Sequence, residues 1–263
     1  MPFAWPDDET IDPTTQTPND AEPVRIEIMN KAVLLAAGRG TRMRDLTEAL
    51  PKPMLQVQGK PVLQHIVEGL RDNGLTNLFI IVGWRADVVK EFFGDGSKLG
   101  VRIQYETQTV QDGTGRVVAL SRAFVGDDPF LLSYGDILVQ PANYERVCSA
   151  TVGAEAVLTV KRSDDVSQGG AVFVNEKFEL TDLREKPKPG EPTSPWYNAG
   201  VYAFRPSIFD HIAALKPSPE RGEYELTDAI RELALCGKKV QALEIAGDWA
   251  DVRDPEILAQ LNR

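Results

Sequence analysis

Residues 31–42 read KAVLLAAGRGTR, a short apolar run that stops in a glycine-rich, basic turn. So short an unbroken run reads as a strand buried on both faces, as in the middle of a parallel sheet. The next segment, PVLQHIVEGLRDNG (61–74), carries helix punctuation: Pro61 at the start, Val62, Leu63, Ile66, Val67 and Leu70 on one face, and Asn73-Gly74 as a stop. LFIIVG (78–83) is a second strand, ADVVKEFFG (86–94) an amphipathic helix, and VRIQYE (101–106) alternates with a period of two. GRVVALSRAF (115–124) is helical in pattern, and PFLLSYGD (129–136) is a strand running into a Gly-Asp turn. This alternation predicts a three-layer α/β fold with a mostly parallel sheet. Ligands of such sheets bind beyond the carboxyl ends of the strands, so the residues after each apolar run come first as candidates.

Composition narrows the classes of function. The 263 residues carry 29 Lys and Arg against 39 Asp and Glu, a formal charge of −10. That balance argues against nucleic acid as a partner, since such binding needs cations to replace phosphate counterions. Local cations can still hold a small phosphorylated ligand. Cys148 and Cys236 have no metal-binding spacing and read as small apolar core residues in a reducing compartment. No apolar run is long enough to span a bilayer, so a membrane role is not expected and a cytoplasmic location is. Residues 1–29 are rich in Pro, Asp, Glu and Thr and read as a solvated tail, with Phe3 and Trp5 able to dock elsewhere. The domain proper is expected over 30–263. The sequence leaves open whether it is a monomer or a homo-oligomer.

Four segments carry chemistry. In LLAAGRGTRM (34–43) a strand opens into glycines whose backbone N–H groups can approach an anion closely. Arg42 offers a planar fork for β- and γ-phosphates, and Lys52, between Pro51 and Pro53, a point charge for an α-phosphate. Neither a P-loop nor a GxGxxG motif is present, and a merely structural turn fits the glycines equally well. In QTVQDGTG (108–115) the Gln108 amide presents a donor beside an acceptor, which suits N3–H and O4 of uracil or thymine; Gly113 permits a close approach to the base and Thr114 adds a hydroxyl. A polar loop without function has the same composition. LLSYGDILV (131–139) delivers Asp136 at a strand end, and GDWADVRDPE (247–256) delivers Asp251 at another. In LREKPKPG (183–190), Glu185 could accept from sugar hydroxyls while Lys186 meets a phosphate, though a charged turn reads the same way.

LAAGRGTRM (35–43), followed by PKPML (51–55) and GKPVLQHIVE (59–68), resembles the sugar-1-phosphate nucleotidyltransferases, or NDP-sugar pyrophosphorylases. The nearest motifs are those of the uridylyltransferase domain of the bacterial N-acetylglucosamine-1-phosphate enzyme and of glucose-1-phosphate thymidylyltransferases. The resemblance runs with gaps from about Lys31 to Leu258. It implies a single Rossmann-like three-layer domain with a central mixed sheet, and a nucleotide set of Ala36, Ala37, Gly38, Gly40, Thr41, Arg42, Lys52, Gln108, Gly113 and Thr114. It further implies sugar-phosphate contacts from Gly170, Glu185, Lys186 and Asn198, and Mg²⁺ on Asp136 and Asp251. Arg42, Lys52, Lys186 and Asp136 are then the catalytic candidates. The implied reaction joins an NTP, UTP first and dTTP second, to a hexose or N-acetylhexosamine 1-phosphate. Alternatives are a catalytically silent binder of nucleotide sugars and a transferase using another phosphate such as phosphocholine. Arg253 departs from the glycine of many relatives. No acetyltransferase repeats follow, so that second activity is not expected. Arg221 in RGEYELTD (221–228) reads equally as a phosphate ligand or a helix-start residue and stays outside the main site. Asp248 and Asp254 read as solvated or capping residues, His65 and His211 as helix residues without a partner motif, and Val117, Val118 and Phe124 as one core face of a helix.

Overall fold

A computed structural model describes residues 29–219 and 221–263. In β1 (Lys31–Ala36), Val33 points to one side of the sheet and Leu34 to the other, and both are fully buried. The chain then makes the short hairpin β2 (Gln56–Val57) and β3 (Lys60–Pro61), helix α1 (Val62–Asp72), β4 (Asn77–Val82), α2 (Ala86–Phe93) and β5 (Arg102–Thr107). Helices α3 (Thr114–Ala119) and α4 (Arg122–Val125) lead to β6 (Phe130–Tyr134), β7 (Ile137–Val139) and α5 (Ala142–Ala150). Strands β8 (Ala156–Arg162), β9 (Gly170–Val174), β10 (Leu180–Glu185) and β11 (Trp196–Phe204) follow without a helix between them. The chain ends with α6 (Ile208–Ala213), α7 (Leu226–Leu235), β12 (Val240–Glu244), β13 (Trp249–Asp251) and α8 (Pro255–Leu261).

The central sheet runs β10-β9-β11-β6-β1-β4-β5, with β8 and β12 branching from β11. Strands β6, β1, β4 and β5 are parallel, as are β8 and β12, whereas β11 is antiparallel to β6, β8 and β9. The sheet is therefore mixed, as expected, with its parallel part at the core. Two apolar layers cover it. Leu34, Leu78 and Ile80 pack with Leu63, Ile66 and Leu70 of α1 on one face. Val33, Phe79 and Ile81 pack with Val118 of α3, Ile212 of α6 and Ile230 of α7 on the other. Each buried Leu, Ile or Phe contributes about 1.5–3 kcal/mol relative to exposure. Among the described residues no helix is long and apolar enough to cross a membrane.

Two expectations need correction. The helix read over 115–124 is two short ones, broken where the Ser121 hydroxyl turns back to the Val118 carbonyl. Cys236 is not a core residue: it caps the carboxyl end of α7 and is exposed. Cys148 is half-buried, and burial pushes its thiol up to about 11, away from the reactive thiolate. Met29 is buried and its sulfur lies 3.5 Å from that of Cys148. Met29, placed at the end of the expected solvated tail, is thus part of the core, and residues 1–28 of that tail, with Phe3 and Trp5, lie outside the described residues.

Candidate active site

The carboxyl ends of β1 and β6 open onto one cleft. After β1 the chain turns through Gly38, Arg39 and Gly40 into a 3₁₀ turn, Thr41–Thr47, which carries Arg42. Gly40 sits at φ 69°, and a Cβ there would lie 2.8 Å from Cβ of Lys52. Only glycine lets the phosphate-type loop and the lysine segment come so close. Lys52 starts its own 3₁₀ turn, Lys52–Met54, with Pro53 buried beneath it. Its Nζ is ion-paired with Asp136 and lies 3.9 Å from Oδ1 of Asp251.

The two aspartates meet because β7 and β13 pair antiparallel, with Asp251 opposite Ile137. One further backbone bond, Val252 N to Asp136 O at 2.9 Å, extends that ladder. Burial and the charge of Asp136 push the Asp251 carboxyl up to about 6, against the opposing pull of Lys52, Arg253 and Arg42. Two hard carboxylates converging in a half-buried corner suit Mg²⁺, which takes one or two carboxylates and completes its shell with phosphate oxygens and water. No cluster of three or more His, Cys, Asp or Glu exists among the described residues, so the pair, and not a closed protein cage, is the candidate metal position.

Two adjoining cavities share Gly38, Lys52, Thr114, Tyr134, Asp136 and Glu223. The first, about 280 Å³, is lined by Ala36, Ala37, Gln108, Gly113 and Thr114, all expected for the nucleotide. The Gln108 amide nitrogen currently donates to the Val110 carbonyl at 2.7 Å. Gly113 has φ 114°, and a Cβ would fall 2.5 Å from the Tyr224 backbone. Gly113→Ala should therefore push residues 112–115 off Tyr224, weakening nucleotide affinity at least about tenfold and lowering stability by about 1–3 kcal/mol. Calorimetric UTP titration and urea unfolding would check both.

The second cavity, about 390 Å³, brings together Gly40, Arg42, Asp251, Gly170, Glu185, Lys186 and Asn198. Glu185 is held above the usual carboxyl range by burial, in spite of Lys186 and Arg221. Lys186 adopts φ 46° and donates its N–H to Gly169 O at 2.7 Å, a strained backbone that aims the segment after β10 at the cavity. Asn198 sits where β11 breaks register with β8, its amide donating to the Tyr202 hydroxyl at 2.7 Å. Of the expected residues, Thr41 begins the turn that carries Arg42.

Sequence reasoning missed several walls of the cleft. Arg221, left outside it, lines the second cavity together with Glu223, Glu225, Gln168 and Gly169. Arg39 and Gln111 line the first, and Val117 serves both that wall and the core. Only RGEYELTD carried a signal, its density of charge before a helix. Arg253 reaches the second cavity. Asp254 caps α8 through Ile257 N at 2.9 Å, and His65 bonds the Val57 carbonyl, so neither belongs to the site.

A protein-family model described as "Nucleotidyl transferase" matches residues 31–263. The chain is 35% identical over 224 residues to the bifunctional protein GlmU of Methanococcus maripaludis, covering 85% of this chain and 51% of that one. It thus spans about half the length of that relative. It is 36% identical over 230 residues to the UTP–glucose-1-phosphate uridylyltransferase AglF of Haloferax volcanii, covering 86% and 92%. The fold superimposes with a TM-score of 0.80 on UDP-glucose pyrophosphorylase complexed with UDP-glucose, at 24% identity and covering 89% and 97% of the two chains. With the family match running from the first strand through the last helix, the chain belongs to the nucleotidyl transferase family.

Proposed function

We propose that this protein transfers UMP from UTP, with dTMP from dTTP as the second choice, to a hexose or N-acetylhexosamine 1-phosphate, releasing pyrophosphate and depending on Mg²⁺. The observation that carries the reading is the convergence of Asp136 and Asp251 on Lys52 where the two cavities join. The base would lie in the first cavity against Gln108 and Gly113. The sugar phosphate would lie in the second, with Glu185 and Asn198 on its hydroxyls, Gly170 against the ring, and Lys186 and Arg221 on its phosphate.

An ionised oxygen of the sugar phosphate attacks the α-phosphorus, and the bond from that phosphorus to the bridging oxygen breaks. Pyrophosphate leaves with the electron pair. The nucleophile already carries its charge, so no general base is needed, which agrees with histidines outside the cleft. What the chain must supply is alignment of two mutually repelling anions and positive charge where negative charge grows. Lys52 would serve the α-phosphate and Arg42 the departing pyrophosphate. Mg²⁺ on Asp136 and Asp251 would add Lewis-acid polarisation of phosphoryl oxygens.

The test is pyrophosphate release from UTP, dTTP, CTP, ATP and GTP with a panel of hexose and N-acetylhexosamine 1-phosphates and phosphocholine. Release is expected with UTP and at least one sugar 1-phosphate, and is expected to stop with EDTA. Silence across the panel would remove the reading, and release with phosphocholine alone would replace the acceptor.

A further inference from the structure

The segment before α7 runs alongside the nucleotide loop. Tyr224 N donates to Asp112 O at 2.7 Å, Gly115 N to Tyr224 O at 2.7 Å, and Leu226 N to the Thr114 hydroxyl at 3.0 Å. The Arg116 guanidinium stacks over the Tyr224 ring at 4.1 Å. Inside this contact lies Glu225, only 5% exposed. One of its carboxylate oxygens pairs with Arg221 at 2.6 Å, and the other accepts from the Thr114 hydroxyl at 3.3 Å.

A carboxylate in that position is not explained by stability. Burying a charge is costly, a buried pair seldom gains over an apolar substitute, and Glu223 and Glu185 add like charge beside it. Its two oxygens do, however, face two different cavities' walls: Arg221 lines only the second, whereas Thr114 lines both and heads the helix at the first.

We propose that Glu225 is a positioning residue that joins the acceptor cavity to the nucleotide loop, holding Arg221 with one oxygen and Thr114 with the other. Resting on the reading of the second cavity as the sugar-phosphate site, this makes Glu225 a determinant of acceptor affinity without touching the reacting atoms. Arg221 is the element it orients: a free arginine on a loop would sample many rotamers, and the ion pair selects the one that faces the cavity.

The substitutions separate the two arms. Glu225→Gln keeps an oxygen for Thr114 but removes the charge facing Arg221. The KM for the sugar phosphate should rise about tenfold, with kcat and the KM for UTP within about twofold, because removing one charge of a mostly buried ion pair costs at least that much. Glu225→Ala removes both arms, so the KM for UTP should rise as well. Burial and Glu223 hold the Glu225 carboxyl up to about 7, with Arg221 opposing and Glu185 reinforcing the rise. As pH falls through that value the wild-type acceptor KM should climb towards that of Glu225→Gln, and the variant should lack this component. Equal rises in both KM values for Glu225→Gln, a fall confined to kcat, or no change would each overturn the proposal. Should the acceptor panel leave the wild type silent, the proposed function fails on that result alone. The tie is then read from UTP binding by calorimetry, where Glu225→Ala should weaken binding and Glu225→Gln should not; equal behaviour of the two overturns it.

Discussion

Asp136→Asn should lower kcat by about a thousandfold or more while the protein stays folded. The magnitude follows from loss of a carboxylate that would hold Mg²⁺: an amide does not replace its charge on the metal, and the cation's stabilisation of phosphoryl charge goes with it. The amide fills the same volume, and the main-chain bond from Val252 to residue 136 is untouched, so the pairing of β7 with β13 persists. The lost ion pair with Lys52 is partly exposed, with side-chain exposures of 13% and 29%, so its contribution to stability is no more than about 1 kcal/mol. Asp254→Asn is the matched control: Asn caps a helix about as well as Asp, and Asp254, although 3.7 Å from Arg253, caps α8 and lines neither cavity. Pyrophosphate release and a thermal melt on both variants check the pair of expectations. Near-normal turnover in Asp136→Asn would mean that the carboxylate has been given the wrong role. Adding Asp251→Asn to Asp136→Asn should cost little more, since residues that act as one unit lose their function together.

The sequence speaks most clearly where local pattern and burial coincide. Strands β1, β4 and β6 are apolar on both faces because helices cover both, and their order and the turns beyond them follow from that pattern. Asp136 is legible as a strand-end residue. Its meeting with Asp251 is not, because it depends on β13 pairing with β7 across the length of the fold; family resemblance supplied it. The ammonium of Lys52, expected at a phosphate, pairs with Asp136 and lies 3.9 Å from Asp251, a contact that its sequence neighbours do not signal. Glu225 was hidden for a different reason. In RGEYELTD it reads as one more polar residue before a helix, and its burial arises only when Tyr224 docks on residues 112–115, a contact between segments far apart in sequence. Cys236 shows the opposite error. Composition favours a buried cysteine, but the last turn of α7 places this one on the solvent side.

Lys52→Met has an effect of similar size on turnover and a second effect that needs no substrate. Methionine keeps the length and apolar stem, so Pro53 and the close approach to Gly40 are undisturbed, while the charge is lost. Turnover should fall about a thousandfold if the ammonium stabilises charge on the α-phosphate. In the free protein Asp136 and Asp251 are then left facing each other, with Arg42 and Arg253 as the remaining cations of the second cavity's near wall. A divalent cation entering this corner in the wild type must compete with the ammonium; in Lys52→Met it meets two carboxylates from which that nearest competitor has been removed. Since a ligand that binds only the folded state stabilises it by RT ln(1 + [L]/Kd), Mg²⁺ should shift the melting temperature of Lys52→Met upward more than that of the wild type. The double variant Asp136→Asn/Asp251→Asn should not respond. Equal Mg²⁺ shifts in all three proteins would show that the cation binds elsewhere, and wild-type turnover in Lys52→Met would separate this lysine from the chemistry. Lys52→Arg discriminates further: it restores the charge but spreads it over a planar fork in place of a point charge, so the carboxylates are again paired while turnover recovers only in part.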